Sequence, residues 1–122
     1  MLLPELIAAL SKPAIYPEPA GEVKVIQTQM SVVFLAGEYA YKIKKPVNLG
    51  YVDYTTLSAR KYFCERELEL NRRLCPGAYL GVIPITFSGS TPEIDGTGEI
   101  IEYAVKMRRL PDEQLLDKLL KR

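Results

Sequence analysis

The stretch "YAYKIKKP", residues 39 to 46, alternates like a strand yet carries three lysines ahead of its proline. Side chains two apart share a face of a strand, so Ala40, Lys42 and Lys44 point one way and Tyr39, Tyr41, Ile43 and Lys45 the other. Pro46 has no N–H to give to a ladder and ends the run. If the lysine face is covered, it calls for a carboxylate close by, because an unpaired charge loses several kcal/mol of solvation on burial.

Upstream, "VKVIQT" (23–28) and "SVVFLA" (31–36) are rich in β-branched residues, and "GE" at 37 and 38 suits a two-residue turn. The chain is therefore predicted to open its sheet with a three-stranded antiparallel meander. Downstream, "VNLGYVDY" reads as a connecting loop and a helix is predicted from about Thr56 to Leu74, capped by Thr55 or Thr56 and stopped by Cys75, Pro76 and Gly77. "LGVIPITF" and "IIEYAVKMRR" read as two more strands joined by the turn-rich "SGSTPEIDGTGE". Residues 4–11 suit a short helix before a proline-rich arm, and "DEQLLDKLLKR" a last helix with leucines 115, 116, 119 and 120 in one stripe. The expected fold is α+β: a five-stranded, mostly antiparallel sheet, one long packed helix, a short N-terminal helix and a C-terminal helix.

The 122 residues, 48% apolar and 25% charged, suit one domain. Sixteen basic against fifteen acidic residues leave a net charge of +1, so no global field draws the chain to nucleic acid or an anionic membrane. Functional charge must be local. The absence of histidine removes every mechanism that relies on an imidazole. Cys64 and Cys75 lack the companions of a zinc site or a disulfide framework. With no basic segment ahead of the first short apolar run and no long apolar stretch, a soluble cytoplasmic protein is expected.

The carboxylate the lysines call for stands in "KYFCERELELNRRL", residues 61 to 74. Helix neighbours lie three and four residues apart, which gives Glu67 the neighbours Phe63, Cys64, Leu70 and Asn71, with Leu74 a turn further. Glu65 and Glu69 sit instead among Lys61, Arg66, Arg72 and Arg73. Packed on the sheet, the helix would bring Glu67 to Lys42 past the small Ala40, a pair worth roughly 4 kcal/mol at about 4 Å before desolvation is subtracted. The alternative is a glutamate at the stripe's edge reaching water, with lysines that snorkel. Lys44, Lys45, Arg108 and Arg109 read as charged ends of edge strands that discourage aggregation.

These residues resemble the small lobe of the protein-kinase-like fold, and more closely the bacterial aminoglycoside-phosphotransferase-like enzymes. "YAYK" has the form of the family's third strand, where a small residue borders adenine and a lysine two places on holds the α and β phosphates. "RELELNRRL" (66–74) is similar to the helix whose glutamate pairs with that lysine, which implies Glu67. "AVKMRRLPDEQLLDKLL" (104–120) resembles the last strand, hinge and first large-lobe helix, with Met107 gating the pocket and Arg108 to Leu110 offering backbone groups to adenine. The strings "VFLAGEYAYKIKKPV" and "LNRRLCPGAYLGVIPIT" look like a bacterial group of that family whose longer members carry a further P-loop ATPase domain. The family's glycine-rich loop is replaced by "IQTQMS", where Thr28, Gln29 and Ser31 offer donors to phosphate or simply form a polar hairpin.

The resemblance implies two segments, an N-terminal helix and arm over 1–22 and a small lobe with hinge over 23–122. It implies ATP with magnesium as the ligand, the metal being held by a large lobe that this chain does not contain. Lys42 and Glu67 are the expected catalytic residues, with Ala40, Lys42, Met107, Arg108, Leu110, Thr28 and Ser31 around the nucleotide and no metal ligand among them. Alone, the chain is expected to be inactive, partnered by the missing lobe or by itself through an exposed apolar face. The alternatives are a non-catalytic interaction module on the same fold, or an α+β domain that binds nucleic acid through "KIKK", "RKY" and "KMRR".

Overall fold

Runs of β-branched and aromatic residues separated by turns build the strands β1 (Val23–Gln27), β2 (Ser31–Ala36), β3 (Tyr39–Lys44), β4 (Tyr79–Phe87), β5 (Pro92–Ile94) and β6 (Glu99–Arg108). Among the described residues two α-helices accompany them, α1 (Leu3–Leu10) and α2 (Leu57–Leu74). The computed structural model describes residues 2–18, 21–75 and 77–109. The strands make one antiparallel sheet in the order β1-β2-β3-β6-β4-β5. The α+β class and the opening meander stand as the alternation indicates. Gly37 makes the β2–β3 turn at φ 61°, a conformation glycine adopts without penalty.

The sheet has six strands where five were expected. The additional one, β5, lies inside the turn-rich connection, pairing Ile94, Glu93 and Pro92 with Ile85, Thr86 and Phe87. Three residues headed by a proline at a sheet edge leave no alternation to read. The Thr86 hydroxyl closes this hairpin, accepting from the Gly96 N–H at 3.1 Å and donating to the Glu93 carbonyl at 3.3 Å. The expected C-terminal helix, with its leucine stripe, lies outside the described residues.

Strand alternation divides the core between the two sheet faces. One face carries Val32, Phe34, Tyr41 and Ile43 and is covered by Leu6 and Leu10 of α1 and by Tyr16. Burying each of those leucines removes an aliphatic side chain from water, about 1.5–3 kcal/mol apiece. The arm after α1 is thus part of the packed body. Tyr16 stacks at a tilt 5.1 Å from Tyr41, and Glu18 receives both the Tyr41 hydroxyl (2.6 Å) and the Lys106 ammonium (2.9 Å).

The other face carries Val33, Leu35, Ala40, Val105 and Met107, packed with Cys64 of α2. The helix lies against β6 and β4. Thr56 caps it by accepting from the Ala59 N–H at 3.1 Å, and Arg72 ties its last turn to the Tyr79 and Leu80 carbonyls at 3.1 and 2.6 Å. Its buried residues are Arg60, Cys64 and Asn71, so the inward side is largely polar. Leu70 and Leu74, expected on that side, are 48% and 61% exposed. Asn71 takes the inward place because its amide donates back to the Glu67 carbonyl at 2.9 Å and so enters the core satisfied.

A second ion pair holds the start of α2. The Arg60 guanidinium donates to Glu102 of β6 at 2.9 Å and to the Tyr54 carbonyl at 2.8 Å, with both charged residues buried. Among the described residues no helix is long and apolar enough to cross a membrane.

Removing one partner of a buried pair leaves an uncompensated charge, whereas replacing both with apolar groups does not. Arg60→Ala is therefore expected to cost about 3–5 kcal/mol in urea unfolding, and Arg60→Met combined with Glu102→Leu much less. Equal losses in the single and double variants would show that the pair is not what anchors α2.

Candidate functional site

Alternation along β3 places Ala40, Lys42 and Lys44 on the α2 side of the sheet, and all three are buried. Lys42 reaches Glu67 of α2 with its ammonium 3.3 and 3.2 Å from the two carboxylate oxygens. Helical spacing offers that link beside a solvated alternative, and the family resemblance selects it. Glu67 is only 12% exposed at its side chain, so it does not escape to water from the edge of a stripe.

Lys44 corrects an expectation. Its sequence suggests the charged end of an edge strand, but β3 lies inside the sheet between β2 and β6. Its ammonium donates to Glu67 at 2.8 Å, a shorter contact than either from Lys42, and stands 5.3 Å from the centroid of the Tyr54 ring. The period of two that put Lys42 on this face puts Lys44 there as well, and that was the signal available in the sequence. The loop over 45–56 brings Tyr54 in: its N–H donates to the Val47 carbonyl, the Leu49 N–H to Val52, and Gly50 turns the chain at φ 87°. Tyr54 then meets Phe63 of α2 edge to face at 5.2 Å.

Two ammonium groups and one carboxylate leave a local excess of one positive charge in a largely dry place. Burial alone would raise the Glu67 carboxyl, but the charges and hydrogen bonds of Lys42 and Lys44 outweigh it and hold the carboxyl below its ordinary value. Burial lowers Lys42, and the Lys44 charge adds to that against the pull of Glu67. For Lys44 burial is again the largest influence and works downward, yet its closer approach to Glu67 leaves it raised. The two lysines thus shift in opposite directions around one acid, as their distances imply. Burial pushes the neighbouring Cys64 thiol up to about 12, so it stays neutral.

Met107 faces Ala40 directly across the β3–β6 ladder, and Val105 faces Lys42. Ala40, Lys42 and Met107 therefore share one face, and both apolar residues are buried. The Arg108 N–H donates to the Ala78 carbonyl, and the Arg108 guanidinium stands 6.0 Å from the Tyr39 ring. Arg109 donates its N–H to the Glu38 carbonyl and its guanidinium to Gly37. Leu110 lies outside the described residues. At the β1–β2 turn the Thr28 N–H donates to the Ser31 carbonyl and the Ser31 N–H to the Thr28 hydroxyl at 3.0 Å, so these groups close the hairpin.

An open groove of about 540 Å³ borders the charge cluster on its outer side, walled by Lys44, Tyr54, Phe63, Glu67, Leu70 and Leu74. It adjoins Lys44 and Glu67 and not Ala40, Lys42 or Met107. Among the described residues no group of three or more histidine, cysteine, aspartate or glutamate side chains is placed to hold a metal ion.

No family model matches the chain, and no solved structure matches it. Proteins of Mycobacterium bovis and of two Mycobacterium tuberculosis strains, CDC 1551 and H37Rv, are each 39% identical to it over 94 residues, or 77% of this chain. Each carries the name "uncharacterized protein". The matched stretch makes up 17% of each of those relatives.

The depressed Glu67 carboxyl has a consequence for acid stability. A carboxylate whose folded value lies below its unfolded one contributes stability that is complete above the unfolded value, near 4.5, and lost as pH falls through the folded value. The unfolding free energy is expected to drop with pH below about 4.5 in the unaltered chain and to lose part of that slope in Glu67→Gln, measured by denaturant melts across pH 2–6. An unchanged slope would mean that Glu67 is not ion-paired.

Proposed function

We propose that this chain is the nucleotide-binding small lobe of a kinase-like phosphotransferase, resembling the bacterial aminoglycoside-phosphotransferase-like enzymes. One observation carries it: the buried ion pair joining Lys42 of β3 to Glu67 of α2. It links two of the motifs on which the resemblance rests, across 25 residues of chain. What further supports the reading is that Ala40 and Met107 lie on the same face as Lys42, opposite each other on adjacent strands.

Lys42 would orient the α and β phosphates of ATP, and Glu67 would keep its ammonium on the α2 side of β3, close to where it meets them. Ala40 and Met107 would border the adenine, whose edge would meet the backbone near the end of β6 at Arg108. Thr28 and Ser31 would serve by keeping the β1–β2 hairpin closed. Magnesium, when bound, supplies charge neutralisation at the phosphates. With no histidine in the sequence, a His-x-Asp loop must come from outside these 122 residues. The acceptor base and the main metal ligands are accordingly assigned to further chain or to a partner, and the small-molecule acceptor to that same lobe.

A second reading, an interaction module without catalysis, is favoured by the groove on α2. Exposed Leu70 and Leu74 beside Phe63 and Tyr54 form an apolar surface suited to a protein partner.

Calorimetric titration of the chain with ATP and magnesium distinguishes the two. The nucleotide reading expects saturable binding that weakens at least tenfold in Lys42→Met, about 1.4 kcal/mol, while the fold is retained by circular dichroism. Absence of binding, or equal binding by both proteins, leaves the interaction module.

A further inference from the structure

Glu67 is shared by two cations that are not equivalent. Lys44 is nearer, at 2.8 Å against 3.2 and 3.3 Å for Lys42. It is also held from a second side by the Tyr54 ring, 5.3 Å from its ammonium, in an attraction between a cation and a π face. Lys42 has no aromatic face of that kind among the described contacts, and it lies two residues closer to Ala40, towards the Met107 end of the sheet. The carboxylate therefore has one firm partner and one looser one, while the cluster as a whole carries one positive charge too many.

We propose that Lys44 is a positioning residue that fixes the Glu67 carboxylate between β3 and α2, leaving Lys42 only partly neutralised and available to an anionic ligand, a polyphosphate. If Lys42 were the sole partner of Glu67, swinging its ammonium towards a phosphate would strip a buried carboxylate of its countercharge, a loss of several kcal/mol. With Lys44 in place the carboxylate stays paired while Lys42 moves. The excess positive charge is then removed by the incoming anion, and the Coulombic gain is large because the site is dry. The identity of that anion, and only that, rests on the nucleotide reading above.

The charged and titratable groups around the cluster are Lys42 and Lys44 from β3, Glu67 and Cys64 from α2 and Tyr54 from the connecting loop. Loss of the Lys44 charge removes a repulsion from Lys42 and gives it the whole of Glu67. Removing Lys44 should therefore bind Lys42's proton more tightly and weaken its hold on an anion.

The test is NMR titration of the lysine ammonium and ε-methylene signals in the full 122-residue chain, alongside binding of ATP and of inorganic tripolyphosphate. Lys44→Met, or Lys44→Gln where the methionine variant does not fold, is expected to move the Lys42 midpoint upward. Affinity for either polyphosphate should fall about tenfold, the net worth of one charge-assisted hydrogen bond. Lys44→Arg is expected to restore both, a rescue that a merely space-filling role would not give. A Lys42 midpoint indifferent to Lys44→Met, or to Lys44→Gln in its place, overturns the assignment whether or not any nucleotide binds. A Lys42 midpoint that moves as described, in a chain that binds tripolyphosphate but shows no gain for ATP, supports the assignment and sinks the nucleotide reading alone. The same movement in a chain that binds neither overturns the availability of Lys42 to anions.

Discussion

The carboxylate of Glu67, enclosed by two lysines of one strand, is the constraint on which the arrangement of helix and sheet depends. A helix usually adheres to a sheet through an apolar stripe, and α2 has only Cys64 and Leu68 to offer from its middle turns. Its other inward residues are Arg60, Glu67 and Asn71, each brought in with its hydrogen bonds made. Buried ion pairs of this sort add little net stability because desolvation consumes most of the Coulombic gain. What they supply is specificity: a slip of α2 by one residue would turn Glu67 and Arg60 off the inward side and leave Lys42, Lys44 and Glu102 of the sheet buried and unpaired.

The two faces of the sheet solve the same problem with different means. Towards α1 the packing is aliphatic and aromatic, with leucines laid over Phe34, Tyr41 and Ile43. Even there one acid is recruited, as Glu18 of the arm draws in Lys106 and the Tyr41 hydroxyl while Lys106 stands 4.4 Å from the Tyr39 ring. Strand β3 is thereby fastened on both sides, by Tyr41 to the arm and by Lys42 and Lys44 to α2. Neighbouring residues of one strand serve separate layers because their side chains alternate.

The legible parts of this fold were those encoded in neighbouring residues. The meander was visible in β-branched runs and a glycine turn, α2 in the Thr56 cap, and the Lys42–Glu67 link in a glutamate whose helical neighbours suited the core. The place of Lys44 was not legible although its face was, because strand position within the sheet depends on β6, whose residues pair with β3 from 61 to 69 positions away in the chain. Arg60 and Glu102 are 42 residues apart and Glu18 and Lys106 are 88 apart, and no local spacing distinguishes such charges from solvated ones. Leu70 and Leu74 misled for a related reason. Apolar type suggested burial, but the polar residues of α2 had better partners inside.

The end of β6 has a mechanical meaning of its own. Arg108 and Arg109 hand their N–H groups in turn to Ala78, at the head of β4, and to Glu38, at the tip of the hairpin between β2 and β3. The departing backbone is thus stapled to two unrelated corners of the sheet, and the second Arg109 bond, to Gly37, doubles one of the staples. The end of β6 therefore cannot shift independently of that hairpin, and a displacement of Gly37 and Glu38 would be passed directly to Arg109.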